Sequence, residues 1–150
     1  MKKLFLLIGI CFSMSLANAQ ETLDPQHSFQ DSHHNVICYV RNATLFDKSY
    51  AYMGQFTVVN KQYSVLNSHH QPIGSVIGGK EVKDANNQTV GFISINHTDY
   101  VVTFEDAQHN AVGFIKPDGT VENKTHDIVG YAVQTEPVWA GVYFFLLKFN

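Results

Sequence analysis

The sequence predicts an all-β protein, a closed or nearly closed array of five β-hairpin repeats, and three observations carry that reading. A ten-residue unit ending in glycine recurs five times. Eleven Phe, seven Tyr and one Trp against three Met favour pleated surfaces, on which aromatic side chains pack well. No stretch beyond residue 19 combines a helix cap with apolar spacing of three and four, so no helix is expected. With 45% hydrophobic and 15% charged residues over 150 positions the chain is neither collagen-like nor disordered, and its length fits one domain.

Residues 1–19 read as a secretory signal peptide: Lys2 and Lys3, an apolar stretch from Leu4 to Leu16, and the small-x-small site Ala17-Asn18-Ala19. The mature chain is expected to start at Gln20, in the periplasm or outside the cell. Ile10 precedes Cys11, where a lipidation signal needs a small residue, so no stable membrane anchor is expected. Cleavage removes two of ten basic residues and none of thirteen acidic ones, leaving a formal charge of −5 and no electrostatic footprint for nucleic acid. It also leaves one cysteine, Cys38, so no intramolecular disulfide can form and stability must come from burial. The polar stretch 20–35 is expected to be a mobile N-terminal segment ahead of a single β-repeat domain, 36–150.

The five units run Leu45 to Gly54, Val65 to Gly74, Val82 to Gly91, Phe104 to Gly113 and Val121 to Gly130. Each reads apolar, any, Asp or Asn, five variable residues, apolar, Gly. The Asx residue (Asp47, Asn67, Asp84, Asp106, Asn123) can bond the backbone two residues on and start a turn. Three residues later stand Tyr50, His70, Asn87, His109 and His126, and Asn and His tolerate positive φ. Gly54, Gly74, Gly91, Gly113 and Gly130 mark a bulge or a close backbone approach. Between units, Gly78-Gly79 and Asp118-Gly119 are two-residue hairpin turns. The apolar run from Val138 to Phe149 reads as a buried final strand, which would close the ring against the N-terminal strand.

A secreted chain with five Gly-ended β-repeats resembles the five-fold β-flower family of secreted bacterial proteins. The resemblance covers about residues 36–150 and rests on repeat spacing. It implies an all-β fold of hairpins around a pseudo-five-fold axis, and it brings no assigned activity and no catalytic motif.

Candidate chemistry is sparse. His70, His109 and His126 share one repeat column and in a ring would lie at one level, where imidazoles could hold a transition metal; Asn87 and Tyr50 in the same column favour a turn role instead. The adjacent pairs His33-His34 and His69-His70 point to opposite faces of a strand and should not chelate. Cys38, among Val36, Ile37, Tyr39 and Val40, reads as an inert buried thiol rather than a nucleophile. The sequons at Asn42, Asn87, Asn96 and Asn123 read as turn chemistry. From repeat glycine to next unit the separations are 11, 8, 13 and 8, so the hairpins after Gly54 and Gly91 are the long ones. Their tips carry Lys61, Tyr63, His97, Asp99 and Tyr100, the candidate binding residues on projecting loops. A non-catalytic binding module for a protein or glycan partner is therefore expected, with no cofactor; the alternatives are metal binding through the histidine column and, less favoured, a hydrolase.

Overall fold

Six Asx turns set the architecture of the computed structural model, which describes residues 27–59 and 62–149. In each turn the Oδ1 of Asp31, Asp47, Asn67, Asp84, Asp106 or Asn123 accepts the N–H groups two and four residues on, at 2.7–3.0 Å. The third residue on, His34, Tyr50, His70, Asn87, His109 or His126, has φ between 59 and 65°. The turn column is thus a left-handed backbone position in every unit, filled by His or Asn, which accept it, in all but the Tyr50 unit.

The turns join strands in pairs: β1 (Ser28–Asp31) to β2 (Val36–Arg41), β3 (Thr44–Phe46) to β4 (Tyr52–Val59), β5 (Gln62–Asn67) to β6 (Pro72–Ile77), β7 (Glu81–Asp84) to β8 (Thr89–Ile95), β9 (Val102–Asp106) to β10 (Ala111–Ile115), and β11 (Thr120–Asn123) to β12 (Ile128–Val133). Tight hairpins at the opposite end link the pairs, with positive φ at Asn42-Ala43, Gly78-Gly79 and Gly119. Each strand pairs antiparallel with its sequence neighbours, and β1 pairs with β12, so the sheet closes into a twelve-strand barrel. Closure leaves no edge strand among the described residues to template aggregation.

All five units are present, and a sixth joins them. Phe29 to Cys38 (FQDSHHNVIC) has the same apolar start, Asx turn and positive-φ residue, with Cys38 in the glycine column. For the described part of the segment expected to be mobile this is a correction: residues 28–35 form β1 and its turn, and Ser28 and Phe29 are fully buried, while residues 20–26 lie outside the described residues. The signal stretch 1–19 lies outside the described residues.

Because strand side chains alternate, the hairpins send three sets of residues inward. The unit starts, Phe29, Leu45, Val65, Val82, Phe104 and Val121, are all 0% exposed. The residues two past the glycine column, Val40, Phe56, Val76, Ile93, Ile115 and Ala132, are buried as well. Cys38 and the five glycines form the third set: each unit start faces the Cys38 or glycine of its own unit across one ladder and the inward residue of the neighbouring unit, as Phe56 faces Val65, across the other.

The final segment corrects a second expectation. It is not a strand: Pro137–Gly141 is a short α-helix, α1, and Val142–Leu146 a π-helical turn closed by the Leu147 N–H to the Val142 carbonyl at 2.9 Å. Barrel diameter grows with strand number, and twelve strands enclose more space than their own side chains fill. The C-terminal segment fills it. A methyl group on Gly54 would lie 2.8 Å from Phe149 Cδ1, on Gly74 2.7 Å from Leu147 Cδ1, on Gly91 2.7 Å from Leu146 Cδ2 and on Gly130 2.8 Å from Phe144 Cε1; on Gly113 it would enter the Phe145 ring. Consecutive plug residues Phe144 to Leu147 therefore face consecutive units around the ring. An α-helix turns about 100° per residue whereas a six-unit ring asks for about 60°, and the wider π turn moves toward that spacing.

Candidate functional site

The chain enters the lumen from the end that carries the tight hairpins, so α1 stoppers that mouth. Phe56 stacks on Trp139 at 5.5 Å, and Val138 and Ala140 are buried. Above this stopper the two long hairpins, β4–β5 and β8–β9, stand on either side of the short Gly78-Gly79 hairpin. The notch between them is a cleft of about 490 Å³ lined by Tyr63, Gly78, Gly79, Lys80, Ile93, Ser94, Ile95, His97 and Val138. That volume is within the usual range of small-molecule sites.

The alternation of inward residues explains the cleft's character. On β4 the inward series is Gly54, Phe56, Val58; on β8 it is Gly91, Ile93, Ile95. Exposure rises from 2% at Phe56 to 68% at Val58, and from 4% at Ile93 to 46% at Ile95. Val58 pairs across the hairpin with Tyr63. The apolar inward pattern thus continues past the rim, where there is no interior left to bury it.

A second concavity of about 490 Å³ lies on the outer wall beneath the β8–β9 loop, lined by Asn96, Asp99, Val101, Thr103, Phe114, Lys116, Glu122 and His126. Glu122 accepts from His126 Nδ1 at 3.1 Å and is held in close contact by the Lys116 ammonium. Hydrogen bonds from Lys116 and His126 hold its carboxyl below the usual range, and the Glu122 side chain is only 7% exposed. A parallel clip joins Glu105 to His109 Nδ1 at 3.0 Å one unit earlier. A third recess, about 310 Å³, opens at the other end of the barrel beside Ile37, Met53 and the plug residues Tyr143, Phe144 and Leu147 to Phe149.

Of the sequence-predicted binding residues, Tyr63 and His97 meet in the mouth cleft and Asp99 faces the wall groove. Tyr100 is 66% exposed and lines neither; Lys61 lies outside the described residues. The histidine column is dispersed. His109 stacks on Phe92 at 4.1 Å, His126 on Phe114 at 4.7 Å and His70 on Tyr52 at 4.3 Å, each at its own turn. The same stacking binds His34 to Tyr131 at 4.1 Å and Tyr50 to Tyr39 at 5.4 Å. Among the described residues no group of three or more His, Cys, Asp or Glu could hold a metal ion. Cys38 is 0% exposed, and burial pushes its thiol up to about 12, which removes the thiolate a nucleophile needs.

Reasoning from sequence missed Lys116, Glu122 and Val138. The readable signal for one of them was the Glu-x-x-x-His spacing shared by Glu105/His109 and Glu122/His126, which puts the two side chains on the same side of an Asx turn.

The fold and its surfaces define a class: a closed up-and-down barrel of Asx-turn hairpins, filled by its own C-terminal segment. A family model described as 5-fold beta-flower protein matches residues 56–148, more than half of the chain, and the chain belongs to that family. No curated protein and no solved structure matches it.

Proposed function

We propose that this chain is an exported, non-catalytic binding module that takes an apolar segment of a partner at the barrel mouth, between hairpins β4–β5 and β8–β9. The observation that carries the reading is the pair of inward apolar series that run on past the rim to Val58 and Ile95. Ile95 lines the cleft and Val58 pairs with Tyr63, which lines it too; exposed apolar groups gathered at one rim are the usual mark of an interaction surface. Tyr63 and His97 add side chains with an apolar body and a polar tip, suited to anchoring a partner in a partly wet cleft. The buried Cys38 thiol supports the non-catalytic part, and export rests on the 1–19 motif.

The test compares the mature chain with a Val58→Ser/Ile95→Ser variant as immobilised bait for periplasmic and medium fractions. Both positions are exposed, so the variant should keep the parental unfolding midpoint while losing the captured partner. Identical capture by both forms would reject the mouth as the binding surface. N-terminal sequencing of the exported protein should begin at Gln20.

A further inference from the structure

We propose that the groove on the outer wall, beneath the β8–β9 loop, is a binding site for a neutral saccharide, independent of the barrel mouth. Its polar groups are mixed in kind. Asn96 spends its Oδ1 on the Thr98 N–H at 2.9 Å, which leaves its NH₂ group as a donor. His126 spends Nδ1 on Glu122, leaving Nε2. Lys116 and the Thr103 hydroxyl add further donors, and Asp99, whose Oδ1 takes the Val101 N–H at 3.1 Å, keeps its second oxygen as an acceptor.

Charge narrows the ligand class. Lys116 is balanced by Glu122, and Asp99 tips the groove toward the negative, so an anionic ligand meets repulsion. A metal cation lacks the ligand group it needs here. What remains is an uncharged molecule that both donates and accepts many hydrogen bonds and has an apolar face. The Phe114–His126 stack supplies the matching surface: its rings lie 12° from parallel, and the His126 side chain is 67% exposed. Flat aromatic surfaces beside amide and carboxylate groups suit the C–H faces and hydroxyls of sugar rings.

The burial of Glu122 sets this groove apart from the rest of the ring. The equivalent positions in the other five units, Gln30, Phe46, Leu66, Lys83 and Glu105, all keep part of their surface in solvent, and only Glu122 is buried. An ion pair between the buried Glu122 and the partly exposed Lys116 and His126 adds little net stability. Here it fixes the directions of Lys116 and His126 before a ligand arrives, which is what a preorganised site requires.

The experiment is a ¹H–¹⁵N NMR titration of the mature chain with maltotriose, cellotriose and chitotriose, with sodium phosphate and acetate as anion probes. At least one trisaccharide should shift the amides of Asn96, Thr103, Lys116 and His126, with a Kd of about a millimolar. Asn96→Asp keeps the loop-capping oxygen and replaces the NH₂ donor by a charged acceptor; Thr103→Val keeps the shape and removes only the hydroxyl. Each should weaken binding by about fivefold or more, with the unfolding midpoint held. The Val58→Ser/Ile95→Ser variant should bind the saccharide as the parent does, which separates this site from the mouth. The proposal is overturned if no trisaccharide shifts these amides at about 50 mM, well above a millimolar Kd. It is equally overturned if phosphate or acetate shifts them as strongly, or if both groove variants bind unchanged.

Discussion

Replacing Gly54 by alanine places a methyl group where the barrel wall and the plug meet. Its carbon would lie 2.5 Å from the Leu66 carbonyl oxygen and 2.8 Å from Phe149 Cδ1. A carbon–oxygen contact settles at about 3.3–3.6 Å, so β4 and β5 must part by about 0.8 Å. Overpacking of this kind costs about 1–3 kcal/mol, and a weakened ladder hydrogen bond adds about 1 kcal/mol. The stiffer unfolded chain returns about 0.4–1 kcal/mol. The net loss is about 2 kcal/mol; with a urea m-value of about 1–3 kcal/mol/M, the midpoint should fall by about 1 M. In a Phe149→Ala background the same substitution should still lower the midpoint, because the Leu66 carbonyl remains. A loss below about 0.3 M in the parental chain, close to the error of such fits, would refute crowding as the reason for glycine. Gly78→Ala is the contrast: nothing lies within 4 Å of the added carbon, and only its φ of 58° opposes it, so about 1 kcal/mol is expected.

Three further outcomes follow from the same structure. Cys38 should resist iodoacetamide in the native chain and react fully in urea, since burial pushes its thiol up to about 12; rapid native labelling would contradict the packed lumen. His109→Asn and His126→Asn should each lose about 1–2 kcal/mol, a ring contact plus a largely exposed hydrogen bond to Glu105 or Glu122, because Asn suits the positive φ; losses well beyond that in urea unfolding would give the column another role. Acid should destabilise the fold. Asp31, Asp47, Asp106 and Asp127 are held below their ordinary value of 3.8, first by side-chain hydrogen bonds from Asn35, Ser49, Asn110 and Thr125 respectively. A depressed folded pKa gives stability that is complete above the unfolded value and is lost as pH falls through the folded one. Urea midpoints should thus decline below about pH 4; a flat profile down to pH 2 would count against the turn hydrogen bonds.

Local chemistry was legible from the sequence and context-dependent geometry was not. The Asx-to-glycine unit announced itself because each of its positions answers to a local backbone need: the positive φ at His70, Asn87, His109 and His126 suits the residue type, and Tyr50 takes the same φ because its Asx turn imposes it. The sixth unit escaped because Cys38 stands where glycine marks the others, although the DSHH of residues 31–34 nearly repeats the NSHH of residues 67–70. The plug escaped for a different reason. A helix enclosed on all sides by a barrel is apolar all round, so Val138 to Phe149 shows no amphipathic period. Its one helical signal was Pro137 at the first position of α1. The binding surfaces were half legible: loop length pointed to Tyr63, His97 and Asp99, but Glu122 and Lys116 depend on a loop folding back over a wall made later in the chain.

The plug also orders events in time. The wall closes only when β1 meets β12, the first and last strands of the sheet, and the lumen fills only with the residues that come after both. Until then the hairpins carry only the wall's half of the core, and the side chains that meet the glycine column are added last. Pairings so distant in sequence form slowly. Folding is thereby tied to the segment that follows the last strand, and a chain cut short of Pro137 should fail to fold rather than fold incompletely.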